Sequence, residues 1–341
     1  MNVKQLNSVA RAMVAPGKGI LAADESSPTI KKRFDQINTE STEENRRVYR
    51  QMLFTTAGAE QYIGGVILFE ETLGQSSDGE VRFPKLLASK GMIPGIKVDK
   101  GAKALAGYPG ETVTEGLDGL RERLAGYREQ GAQFAKWRAV IDIDEAKGIP
   151  SRFAIEANAH ALARYAALCQ EADIVPIVEP EVLMDGAHSI EVCQRVTEEV
   201  LVEVYRQLAL HRVVLEGTLL KPNMVISGKK CSTQASVREV AAATAQTLLR
   251  TVPGAVPGIV FLSGGQSSEE ATAHLNAINA MGRYPWEVSF SYGRALQASP
   301  LQAWSGRPDN IEVAKDAFFK RAKLNGLARS GDYDASMESA A

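Results

Sequence analysis

Ile174-Val-Pro-Ile-Val-Glu-Pro180 is the stretch on which the fold turns. It is short, rich in β-branched residues and apolar until its final positions, the pattern of a strand buried on both faces of a parallel sheet. Before it, Ile155 to Gln170 repeats apolar residues every three or four positions; after it, Ser189 to Leu210 does the same. A strand between two helices is the reading. Seven further runs share its composition: Gly19 to Asp24, Gly65 to Glu71, Gly95 to Lys100, Phe134 to Ile141, Leu215 to Pro222, Gly258 to Gly265 and Trp286 to Gly293. Val237 to Thr251 and Ser268 to Met281 are further helical patterns. Eight strands alternating with helices close a parallel barrel, so the sequence predicts an α/β chain folded as a single (β/α)8 TIM barrel.

The same reading makes residues 1–341 one domain, since no linker-like composition shift, low-complexity block or sequence repeat interrupts them. Within the N-terminal segment 1–18, Val3 to Val14 is amphipathic and is expected to cap the barrel bottom. Asn310 to Leu327 reads as a final helix, and the small polar residues 330–341 are expected to be mobile.

Lys+Arg 39 against Asp+Glu 41 leaves a net charge of -2, which supplies no global field for nucleic acid or an anionic membrane. The N-terminus has no uninterrupted apolar run, so neither a signal peptide nor a membrane span is expected. Cys169, Cys193 and Cys231 are far apart and form no CxxC pair, which fits a reducing cytoplasm better than a disulfide framework. His160, His188, His211 and His274 show no metal-ligand spacing, and no metal is expected.

The informative residues are polar ones at the C-terminal ends of strands, where sites sit in this fold. They are Asp24, Glu70, Glu71, Lys97, Asp99, Lys136, Arg138, Glu179, Glu181, Lys221, Ser263, Ser289 and Ser291. Alternation along a strand puts Lys97 with Asp99, Lys136 with Arg138 and Glu179 with Glu181 on common faces. Any one of them is explained as a rim charge paired with a neighbour. Together they are costly to bury, and such cost marks a site. Their chemistry suits carbonyl compounds. A desolvated Lys221 beside a second cation, Lys136, is expected to attack a ketone, and the iminium formed takes up electrons from a breaking carbon–carbon bond without a metal or other cofactor. Asp24 and Glu179 are carboxylates fit for the proton transfers.

Ser263-Gly-Gly-Gln266 and Ser291-Tyr-Gly-Arg294 end the seventh and eighth runs and lead into helices. Backbone amides there, with hydroxyls and an arginine, would cradle a phosphate, although a plain tight turn also accounts for either loop. Ser26, Thr29, Lys32 and Arg33, with Lys97 across the mouth, suggest a second anion site, the alternative being a helix N-cap with a solvated basic face. Two phosphates at opposite ends of one mouth imply a bisphosphorylated linear substrate.

Long ordered motifs at all eight strands then resemble one family. Gly19-Ile-Leu-Ala-Ala-Asp-Glu-Ser26, Gly64-Gly-Val-Ile-Leu-Phe-Glu-Glu71, Gly95-Ile-Lys-Val-Asp-Lys-Gly101, Phe134-Ala-Lys-Trp-Arg138, Ile177-Val-Glu-Pro-Glu181, Leu215-Glu-Gly-Thr-Leu-Leu-Lys-Pro-Asn-Met224, Phe261-Leu-Ser-Gly-Gly-Gln266 and Phe290-Ser-Tyr-Gly-Arg-Ala-Leu-Gln297 look like class I fructose-bisphosphate aldolase. The resemblance implies that Lys221 forms a Schiff base and that Glu179 is the principal proton acceptor. Asp24 and Lys136 would assist bond cleavage, with Glu181 and Arg138 in support. It further implies that Ser263, Gly264, Gly265, Ser291, Gly293 and Arg294 bind the phosphate on carbon one. Ser26, Thr29, Lys32, Arg33, Arg46 and Lys97 would serve the other end. A phosphorylated sugar is the implied partner, glycolysis, gluconeogenesis or carbon fixation the pathway, and a homotetramer the assembly. Pro28 and Thr29 stand where animal enzymes have Gly-Ser, and the last tyrosine is Tyr333 rather than a terminal residue. Two rival readings stand beside this one: another Schiff-base barrel such as transaldolase, and a non-catalytic scaffold.

Overall fold

Alternation along each strand divides the apolar residues of this chain into two sets, and the architecture follows from where each set is buried. A computed structural model of the chain describes residues 1–339. Its strands are β1 (Gly19–Ala23), β2 (Ile63–Leu68), β3 (Ile93–Lys97), β4 (Ala102–Ala104), β5 (Thr112–Thr114), β6 (Phe134–Ile141), β7 (Val175–Val182), β8 (Leu219–Leu220), β9 (Gly258–Phe261) and β10 (Glu287–Tyr292). Eight of them close a barrel in the order β1-β10-β9-β8-β7-β6-β3-β2, while β4 and β5 form a separate antiparallel pair. The barrel pairings are all parallel. The (β/α)8 expectation therefore holds, as do the four long helices, observed at Arg152–Glu171, Ile190–Leu210, Val237–Thr251 and Ser268–Ala280.

One set of strand residues, Ile20, Ala22, Ile67, Phe134, Val175, Ile177, Leu219 and Val260, fills the barrel interior. The N-terminal helix Val3–Met13 closes the bottom of that core. Leu6, Ala10 and Met13, together with Val14 just beyond it, lie on one helical stripe and join the same cluster. The other set, including Leu21, Leu68, Ile96, Trp137, Val178, Leu220, Phe261 and Phe290, packs outward under the helices. Gly95 permits this filling, because a Cβ there would lie 2.3 Å from the Phe134 ring.

Two runs end differently from their composition. In Leu215 to Pro222 the strand shrinks to Leu219–Leu220, after a single 3-10 turn at Leu215–Gly217. The Gln170 side chain accounts for this: its amide donates to the carbonyls of Val214 and Gly217 and accepts from the Val214 amide, taking groups a ladder would use. After β2 the chain turns at once into the short helix Glu70–Gly74, which carries Glu70 to Tyr127 and Lys100, and Glu71 to Arg46, away from the barrel axis.

The tail follows the helix Ile311–Ala328. Tyr333 is 8% exposed, its hydroxyl donates to Glu338 at 2.9 Å, and Glu338 also pairs with Arg321. The part of 330–341 expected to be mobile thus has specific packing through Glu338, and its last two residues lie outside those described. No helix among the described residues is long and apolar enough to cross a membrane.

Candidate active site

The interior parity that buries Phe134, Ile177 and Leu219 continues, two residues at a time, into the polar strand ends. Phe134 leads to Lys136 and Arg138, Ile177 to Glu179 and Glu181, Leu219 to Lys221, and Ala22 to Asp24. Register supplies the rest. Ile177 pairs with Leu219, so Glu179 and Lys221 come level two residues later, and Arg138 pairs with Glu179.

The result is a continuous series of charged contacts. Lys221 Nζ lies 3.0 Å from Glu179 Oε1, Glu179 Oε2 lies 3.2 Å from Lys136 Nζ, and Lys136 Nζ lies 2.8 Å from Asp24 Oδ2. The four side chains are nearly closed to solvent, the most open being Asp24 at 13%. Arg138 pairs with Glu181, and Lys97 Nζ with Asp99 at 2.7 Å. Two ammonium groups against two carboxylates make the series formally neutral, which is what makes its burial tolerable.

Proximity shifts these groups in defined directions. Burial pushes the Asp24 carboxyl up, but Lys136, Lys221 and Lys97 together outweigh it and hold it well below the usual aspartate range. Burial likewise opposes the charge on Glu179, and Lys136, Lys221 and Arg138 overcome it, so its carboxyl also sits low. Lys136 loses hydration yet is held well above the ordinary lysine value by Asp24, Glu179 and Asp99. Arg138, too, is driven up despite burial, chiefly by Glu181. At neutral pH Lys136 is a fixed cation and both acids are anions.

These groups line a cavity of about 230 Å³ at the mouth of the barrel. Ser26, Thr29, Arg33, Ser263, Gly264, Ser291, Gly293 and Arg294 line it as well. Ser291 is 1% exposed and its hydroxyl has no hydrogen-bond partner among the described residues, so it is free for a ligand. Of the helices that begin here, Ser268–Ala280 is capped by its own residues, Ser267 and Glu270 closing a reciprocal box. Arg294–Trp304, opening at Gly293, has no side-chain cap. Nor does Ser27–Asp35: Ser26 stands at its N-cap but bonds the Thr29 hydroxyl at 3.1 Å instead. The start of Arg294–Trp304 thus borders the cavity with uncapped amides, an arrangement suited to anions, whereas that of Ser27–Asp35 offers only the Ser27 amide, since Pro28 has none and the Thr29 amide donates to the Ser26 carbonyl at 2.8 Å.

The two anion groups are not at opposite ends of the mouth. β1 and β10 are bonded neighbours, so the residues after them adjoin, and Arg33 Nη2 lies 3.7 Å from where a Cβ on Gly293 would be. The breadth of the site comes from Ser263 and Gly264 after β9 and from Lys97 after β3. Three expected residues stand outside the lining. Lys32 is exposed on Ser27–Asp35, Arg46 is taken up by Glu71 and the Ser41 carbonyl, and Gly265 borders an adjacent groove between Lys229 and Arg294. Glu25, Ala22 and Leu262 line the cavity without having been singled out. Glu25 lies one residue off the interior parity, and its partners are remote in sequence.

Among the described residues no group of three or more His, Cys, Asp or Glu side chains could hold a metal ion. His188 and His274 are buried in other grooves, His160 and His211 meet ring to ring at 4.9 Å, and the three cysteines are free.

Comparison with known proteins points to one family. The family model described as fructose-bisphosphate aldolase class-I matches residues 5–341. A probable fructose-bisphosphate aldolase class 1 of Xanthomonas campestris is 58% identical over 334 residues, covering 98% of this chain and 99% of that protein. Human fructose-bisphosphate aldolase C is 56% identical over 337 residues, covering 98% of this chain and 92% of the human protein. The fold is similar to that of the Plasmodium falciparum fructose-bisphosphate aldolase solved with TRAP and a small-molecule inhibitor, with TM-score 0.97 and 52% identity over 98% of this chain and 96% of that one.

Proposed function

The chain belongs to the class-I fructose-bisphosphate aldolase family, and from that membership we propose that it cleaves fructose 1,6-bisphosphate reversibly through a Schiff base on Lys221, giving dihydroxyacetone phosphate and glyceraldehyde 3-phosphate. The observation that carries the reading is the contact series Lys221, Glu179, Lys136, Asp24 inside a cavity walled by anion-binding groups.

Lys221 gives a proton to Glu179 and its nitrogen attacks the ketone carbon; a further proton then passes from that nitrogen to the former ketone oxygen, which gives the carbinolamine. Glu179 returns a proton to the carbinolamine hydroxyl, which leaves as water, and the iminium remains. A carboxylate, Asp24 in this assignment, takes the proton of the hydroxyl on carbon four. The bond between carbons three and four breaks into the iminium, the aldehyde departs and an enamine is left. Lys136, a cation throughout, stabilises oxygen anions developing between the two carboxylates. Protonation of the enamine and hydrolysis of the iminium release the ketone and restore the amine. The electron sink is organic, so the proposed route uses no metal, and a chelator is expected to leave turnover unchanged.

The test is covalent. Incubation with dihydroxyacetone phosphate, borohydride reduction and peptide mapping should place the mass increment on Lys221, and an increment on any other lysine would overturn the assignment. The same reading places the enzyme in the cytoplasm, in glycolysis and gluconeogenesis, as a homotetramer that sedimentation would detect.

A further inference from the structure

Glu25 lines the cavity directly after Asp24, yet it takes no part in the contacts around Lys221. It is 7% exposed, and a carboxylate so enclosed is tolerated only when its oxygens are matched by donors. They are. Oε1 accepts from Gln297 Nε2 at 2.8 Å and pairs with Arg33 Nη1, and Oε2 pairs with Arg50 Nη2 at 3.1 Å. Arg50 is 0% exposed and also donates to the Glu25 carbonyl at 3.2 Å and to Thr72 Oγ1 at 3.0 Å. It therefore has no access to a substrate; its surroundings assign it to holding Glu25. Gln297 is fixed in turn, donating to the Ala22 carbonyl at 2.7 Å and accepting from the Tyr49 hydroxyl at 3.2 Å.

Arg33 differs from Arg50 in that it reaches the cavity wall. Its Nη1 is claimed by Glu25, while Nη2 has no hydrogen-bond partner among the described residues and lies 3.7 Å from where a Cβ on Gly293, at the uncapped helix start, would be. Two guanidinium groups share one carboxylate, so a positive charge is left over, and it lies on the cavity side. A planar guanidinium held at Nη1 presents its Nη2 side to the cavity, where its N–H donors suit a phosphate.

We propose that Glu25 is a positioning residue: it orients Arg33 so that the free guanidinium edge receives the second phosphate, and thereby sets the preference for bisphosphorylated over monophosphorylated ketoses. The inference rests on the aldolase reading. A purely structural role, as a joint where β1 and β10 close the barrel, would weaken every substrate alike.

The experiment compares kcat and KM for fructose 1,6-bisphosphate and fructose 1-phosphate in wild type, Glu25→Gln, Arg33→Met and the double variant, with thermal unfolding as the check on folding. In Glu25→Gln the ratio of kcat/KM values, bisphosphate over monophosphate, is expected to fall about tenfold, mostly through KM for the bisphosphate, as loss of a charge-assisted hydrogen bond predicts. In the Arg33→Met background the same change should leave that ratio where Arg33→Met alone puts it. If Glu25→Gln does not fold, Glu25→Asp keeps the charge but draws it back from Arg33, and the same drop is expected. An unaltered ratio in a folded variant, or additive effects in the double variant, would overturn the inference alone. A wild type that cleaves neither sugar would overturn the aldolase reading and this inference with it.

Discussion

Glu179 reaches Lys221 with one carboxylate oxygen at 3.0 Å and Lys136 with the other at 3.2 Å, so a single acid on β7 serves the amine of β8 and the fixed cation of β6. The proposed proton exchange with Lys221 and the compensation of Lys136 are therefore coupled in one residue. Glu179→Gln keeps the shape and removes both functions. Its kcat should fall by about 10²–10⁴, the range for loss of a positioned acid–base group. Its stability in urea should fall as well, by on the order of 1–3 kcal/mol, because Lys221 and Lys136 lose the buried carboxylate they share. A folded Glu179→Gln enzyme with wild-type kcat would take this carboxylate out of the proton path.

The same contacts fix how stability depends on pH. Asp24 and Glu179 sit below their ordinary values of 3.8 and 4.5, so in acid the unfolded chain binds protons before the folded one does. Their contribution is complete above those values and disappears as pH falls through the lower values of the folded state. Lys136 has the opposite sign: raised from 10.5, it contributes fully below that pH and loses its contribution as pH rises through its folded value. Urea midpoints measured from acid to alkaline pH should show a shallower acid limb in Asp24→Asn and a shallower alkaline limb in Lys136→Met. Limbs identical to wild type would mean that these pairs do not hold in solution.

The sequence disclosed this site to the extent that strand parity governs it. Lys136 and Glu179 are readable because each follows an interior apolar residue by two positions, Phe134 and Ile177. Glu25 was illegible because Arg33, Arg50 and Gln297 reach it from three separate helices, and no local spacing announces a contact across 272 residues. Arg46 entered the substrate set only through the family resemblance, and here the short helix after β2 brings Glu71 to meet it. The start of the run at Leu215 differs for a similar reason: Gln170, 44 residues before Val214, takes up the Val214 backbone and keeps it out of the ladder.

The turn after β9 depends on backbone freedom. Gly264 has φ +48 and Gly265 φ +79, and a Cβ on Gly264 would lie 2.4 Å from Met184 Cε. Met184 is flexible and can yield, but a left-handed alanine still costs about 1 kcal/mol. Gly264→Ala should therefore fold, with KM for the bisphosphate several-fold higher and kcat changed less, since in the proposed function this loop of the cavity wall holds a phosphate while Lys221 carries the bond chemistry. An unchanged KM would remove this loop from the phosphate site.

Truncation after Gly331 separates the packing of the tail from any role in turnover. The deletion removes the buried ring of Tyr333 and takes Glu338 from Arg321, which is itself 3% exposed. Arg321 remains bonded to the Ser268 carbonyl and, at 2.7 Å, to Thr272 Oγ1, so its charge stays partly satisfied. The melting temperature should drop by about 1–2 °C, the scale of 1 kcal/mol against an unfolding entropy of roughly 2 cal/mol/K per residue in a chain this long. Turnover should stay within about twofold of the full chain, because no tail residue among those described lines the cavity that holds Lys221, and a twofold change is only a few tenths of a kcal/mol in the barrier. The connection that could defeat this expectation runs from Glu338 through Arg321 to the first turn of Ser268–Ala280, directly behind the loop at Gly264. If the truncated enzyme loses turnover by orders of magnitude while its fold survives, that connection transmits a catalytic function, and the tail does more than pack.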